Sequence, residues 1–74
     1  MITIPNGYAP MLLQAVRDAA LYHEGLMHSE TIRDEERADY EEYHVLLTQF
    51  LAFLKGEYAR DEAEIGVPLE RLRV

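Results

Sequence analysis

The sequence predicts an all-α protein, an antiparallel two-helix hairpin that completes a four-helix bundle by dimerising or by docking on a partner. Three observations carry that prediction. Apolar residues recur at helical spacing over residues 9–28 and again over 32–64. Cap-type residues, Ser29-Glu30-Thr31, separate the two segments. Both segments carry more apolar surface than one antiparallel contact covers, so a lone hairpin leaves part of it bare.

The chain opens on an arm, residues 1–8, in which Ile2 and Ile4 alternate with polar neighbours before Pro5-Asn6-Gly7 makes a turn. Pro10 suits the first turn of the helix that follows, where a missing N–H costs little. At about 100° per residue, the first helix, 9–28, has two apolar seams. One is Ala9, Leu13, Val16, Ala20, His23 and Met27; the other is Tyr8, Leu12, Ala15, Ala19, Tyr22 and Leu26, stepping four and three residues as a coiled-coil seam does. Two adjacent seams call for two neighbours. The first is assigned to the hairpin core and the second to an interface.

Ser29 or Thr31 is expected to cap the second helix, with Asp34, Glu35 and Glu36 favourable in its first turn. A single helix of about fifty residues is the alternative, since the stretch 26–55 contains neither Gly nor Pro to forbid it. In the hairpin the second helix, 32–64, places Glu36, Tyr40, Tyr43, Leu47, Phe50, Leu54 and Tyr58 on its inner line, with Leu46 and Phe53 on one flank and Leu51 on the other. Val16 is expected near Leu47, Leu12 and Leu13 near Phe50, and the small Ala19 and Ala20 near Tyr43. Leu46, Phe53 and Tyr58 join the interface, Tyr58 because residues 55–65 overhang the first helix. Either the arm covers this overhang with Ile2 and Ile4, or a partner binds it together with Leu69 and Leu72. Gly66 and Pro68 end the helix, leaving 66–74 as a tail.

Composition narrows the classes of function. A chain of 74 residues has a marginal core, and without Cys it has neither disulfides nor thiolate metal ligands to reinforce it. Packing, a partner, or a metal held by His and carboxylates remains. Seven Lys and Arg against fourteen Asp and Glu give a net charge of −7, a poor match for a phosphate backbone, so no direct nucleic-acid binding is expected. The N-terminal stretch has no basic, long apolar signal-peptide pattern, and Val45 to Leu54 falls short of the ~20 residues a membrane span needs. The expected location is the cytoplasm.

No Ser or Cys nucleophile in a recognisable setting and no Gly-rich phosphate loop is present, so the chain is not expected to be an enzyme. The histidines of His23-Glu24-Gly25-Leu26-Met27-His28 are one residue too far apart for a zincin pair. Glu41-Glu42-Tyr43-His44 contains a Glu-x-x-His spacing that resembles the ligand motif of ferritin-like di-iron carboxylate proteins. That resemblance implies iron, with zinc the other candidate, held by Glu41, His44 and Glu24 of the first helix. In layout, the acidic turn Arg33 to Asp39 between two amphipathic helices looks like the hairpin of Rop-type plasmid RNA-binding proteins. RNA binding is not carried over, because Arg17 is the single basic residue of the first helix apart from its histidines. The leading expectation is an acidic interaction module, pairing with itself or with a larger protein that it regulates or inhibits, as phage- or plasmid-type regulators do. The competing one is a metal-binding helical oligomer.

Overall fold

A computed structural model describes residues 3–74 as two packed helices with a short 3₁₀ turn at each end of the chain. Helix α1 spans Ala9–Met27 and helix α2 spans Asp34–Ile65; the 3₁₀ turns are Asn6–Tyr8 and Leu69–Leu72. Val16 and Ala20 pack on Leu47 while Leu13, earlier in α1, packs on Tyr58, later in α2, so the chain doubles back on itself as a helical hairpin.

The break between the helices is built by side chains rather than by glycine. Ser29 Oγ and Thr31 Oγ1 lie 2.7 Å apart, and the Thr31 N–H donates to Ser29 Oγ at 3.2 Å. These two residues therefore close the linking turn instead of capping α2. Arg33 occupies the cap position in extended backbone, and Glu36 Oε2 accepts from its N–H at 3.5 Å. Asp34, Glu35 and Glu36 fill the first turn, where carboxylates meet the positive end of the helix dipole. The Arg37 guanidinium reaches back to the Met27 carbonyl and, at 3.2 Å, to the Ser29 carbonyl. One α2 side chain thus holds the end of α1, and the single-helix alternative falls. The expected boundary at 32 moves to 34 for the same reason: the polar turn needs residues 28–33.

The side of α2 that meets α1 differs from expectation. Arg37, Tyr40, His44, Leu47, Leu51, Leu54 and Tyr58 are buried or half-buried, stepping three and four residues in alternation. Tyr43 and Phe50, expected on the inner line, are 50% and 45% exposed. The helix is turned by part of one residue's arc, so Leu51 takes the place expected for Phe50 against the Val16, Ala20 and Leu47 cluster, and Leu13 meets Leu54 and Tyr58.

At the open end the chain folds back once more. Gly66, at φ 86°, stands in the left-handed position that ends α2, its N–H donating to the Glu62 carbonyl at 3.0 Å. Pro68 then starts the second 3₁₀ turn, which sets Leu72, 4% exposed, against Leu13 and Tyr58. The tail is thus tied to the core through Leu72, with Val67, Leu69 and Val74 half-buried beside it and Glu70, Arg71 and Arg73 exposed. The Tyr58 hydroxyl donates to the Val67 carbonyl at 2.5 Å, Glu62 accepts from the Leu69 N–H at 3.0 Å, and Arg17 Nη1 donates to the Arg73 carbonyl at 3.1 Å.

Candidate interaction face

The two helices form a single layer. The Cα positions of this layer and the segments at its ends extend 45 × 27 × 15 Å. A single layer has two broad faces. Near the open end the tail lies against one of them, where Arg17 of α1 meets Arg73 and where Lys55 of α2 lines a hollow with Leu69 and Val74.

The opposite face is set by helical geometry. On α1 and at its N-cap Tyr8, the seam Tyr8, Leu12, Ala15, Ala19, Tyr22 and Leu26 lies about 100° round from the buried Leu13, Val16 and Ala20. On α2, Tyr43, Leu46, Phe50 and Phe53 lie about the same angle round from the Leu47–Leu54–Tyr58 line. Because the helices run in opposite directions, both rotations lead to the same side of the hairpin, away from Arg17 and Lys55. A third observation agrees: Leu12 and Ala9 of α1 share a hollow with Leu54, Glu57 and Asp61 of α2 and with Ile4 of the arm. Ile4 lines this hollow beside the overhang but is 45% exposed and does not join the Leu13–Tyr58–Leu72 cluster; Ile2 lies outside the described residues.

The side chains on this face are large and bare. Tyr22 is 65% exposed, Phe53 60%, Tyr8 58% and Leu46 55%. Ala15 is open, while Leu12, Ala19 and Leu26 are half-buried on the edge of the core. None of these carries charge, although Asp39, Glu42 and Glu57 border the α2 strip. Tyr58 does not belong to the face. Its ring is 3% exposed because Leu72 and Leu13 close over it, so it holds the monomer together. Burial also raises its hydroxyl pKa, with a smaller contribution from the Glu62 carboxylate nearby. Tyr43 and Phe50 are the members that the sequence reading put inside; their three- and four-residue spacing with Leu46 and Phe53 was the available signal.

The metal reading gains no geometry from a single chain. Glu24 and Glu41 are exposed and His44 is half-buried in the α2 seam. Among the described residues, no group of three or more His, Asp or Glu side chains converges to hold a metal ion. His23 sits in an aromatic cluster, its ring centroid 4.6 Å from Tyr43 and 5.6 Å from Tyr22, and Nδ1 donates to the Ala19 carbonyl at 2.9 Å. Among the described residues no helix is long and apolar enough to cross a membrane.

Set against known protein families, characterised proteins and solved structures, the chain matches none of them.

Proposed function

We propose that the protein is a small acidic protein–protein interaction module, an adaptor, regulator or inhibitor, that acts through the apolar face formed by the second seam of α1 and the Tyr43–Phe53 strip of α2. The observation that carries this reading is the continuity of that face. Exposed apolar side chains are ordinary when scattered, whereas a contiguous patch with acidic borders is the mark of an interaction surface. A second layer laid over it makes a four-helix bundle, the usual way for a two-helix layer to bury its remaining apolar stripe.

The test is the particle mass of the pure chain and of the same chain, fluorescently labelled, in an extract of its source cells. The expected result is a particle heavier than the 8.6 kDa chain in at least one of the two, lost in Phe53→Asp with helix content retained. A chain monomeric in both settings overturns the reading.

A further inference from the structure

We infer that the occupant of this face is a second copy of the chain, related by a two-fold axis parallel to the helices, so that α1 of each copy lies over α2 of the other. The inference rests on the interaction reading above and names its partner and geometry. Three observations lead to it.

The first is area. A folded monomer of this mass is expected to expose about 4,700 Å². The chain exposes 5676 Å². The excess of about 1,000 Å² is comparable to the about 800 Å² that each partner buries in a standard interface. A copy of the same hairpin has a face of the same size and outline.

The second is shape. Val16 and Ala20 pack on Leu47, and Leu13 on Leu54 and Tyr58, so Ala15 and Ala19 stand at the height of Leu46 to Phe53. The middle of the α1 strip is therefore low where the middle of the α2 strip is high. A two-fold axis along the helices preserves height and exchanges left for right, which lays Leu46 and Phe50 of each copy into the alanine hollow of the other. Large residues meet small ones twice, as interdigitating layers require. An axis across the helices instead stacks α2 on α2 and α1 on α1, setting bulky against bulky and alanine against alanine.

The third is charge. Asp39 and Glu57 lie on the α2 strip at either end of its apolar run. Stacking α2 on an inverted α2 brings Asp39 of each copy to Glu57 of the other, a like-charge contact that costs free energy. The α1 strip carries no charged residue, so the α1-on-α2 arrangement avoids that contact. A basic partner would suit the acidic borders, and the two occupants respond oppositely to salt. Two chains of charge −7 bind each other more tightly as salt screens their repulsion, while a basic partner is released.

The chain has no cysteine, so single introduced thiols report the arrangement. Ala19→Cys and Leu46→Cys are made as separate full-length proteins, each checked for native helix content, then oxidised mildly alone and mixed. The expected result is a sedimenting dimer at micromolar concentration, tightening from 50 to 500 mM salt, with a disulfide-linked dimer in the mixture and none in either variant alone. Disulfides need Cα atoms about 4.4–6.8 Å apart. Cross-linking of either variant with itself overturns the parallel axis, as does a dimer that cross-links in no combination. A pure chain that is monomeric, yet bound to another protein in extract, overturns the second copy and leaves the interaction reading standing. A monomer in both settings overturns both.

Discussion

Tyr58 and Leu13 carry much of the monomer's cohesion, because the small contact surface of a two-helix layer concentrates burial on few side chains. Leu13 is 2% exposed, and Leu13→Ala is expected to cost about 2–5 kcal/mol in urea unfolding. That is a large part of the stability of so short a chain. Tyr58→Phe keeps the ring but removes the donor to the Val67 carbonyl, so a smaller loss of about 1–2 kcal/mol is expected. The same hydroxyl gives a pH dependence whose sign follows from its raised pKa. Below the unfolded tyrosine pKa of about 10 both states hold the proton and this group adds no slope. Above it the unfolded chain loses the proton first, so stability falls as pH rises; alkaline urea titration of the protein against Tyr58→Phe isolates that slope.

At the scale of the elements, two glycines in α2 and at its end make opposite predictions. Gly56 is exposed within the helix with open space where a Cβ would stand, so Gly56→Ala is expected to stabilise by about 0.5–1 kcal/mol. Gly66 also has open space but sits at φ 86°, and Gly66→Ala is expected to destabilise by about 1 kcal/mol through backbone strain alone. Thermal melts of the two variants check both signs. The helix ends were legible in the sequence from such local chemistry: Pro10 at the start of α1, the acidic first turn of α2, and Gly66 with Pro68 at its close. The capping residue was not. Ser29 and Thr31 have the right chemistry for caps, but their hydroxyls bond within the turn and Arg37 takes the carbonyls of Met27 and Ser29. Those bonds depend on where α2 comes to lie, which no local pattern records.

For the whole molecule, the interaction reading predicts that association and folding can be separated. Tyr22→Asp, on the bare face, is expected to weaken self-association at least tenfold, a change of about 1.4 kcal/mol, while helix content is kept. Val16→Asp buries an uncompensated charge between the helices and is expected to unfold the hairpin itself. Circular dichroism alongside sedimentation distinguishes these outcomes, and equal effects would mean that the two seams of α1 are one core. Ala15→Phe supplies a gentler check. It fills the hollow proposed to receive Phe50 of the other copy, so the dimer should weaken while the monomer fold is unchanged.

Periodicity by itself determined that this chain is helical on both sides of the polar stretch at 29–33 and that α1 has two apolar seams, because these properties depend on residues a few positions apart; the contacts of Arg37 with the end of α1 decided for two helices over one long one. Periodicity also predicted the second seam's place on α1, from Tyr8 to Leu26. Tertiary structure decided the rotation of α2. Its apolar arc covers close to half the circumference, wider than one contact with α1, so Tyr43 and Phe50 or His44 and Leu51 could each have faced inward. The fold turns the latter pair in and leaves the former on the open face with Leu46 and Phe53. It likewise brought Leu72 back onto Leu13 and Tyr58 across more than fifty residues from α1. Helical spacing gives angles within one helix but no angle between two, and only packing of the whole chain supplies that second angle.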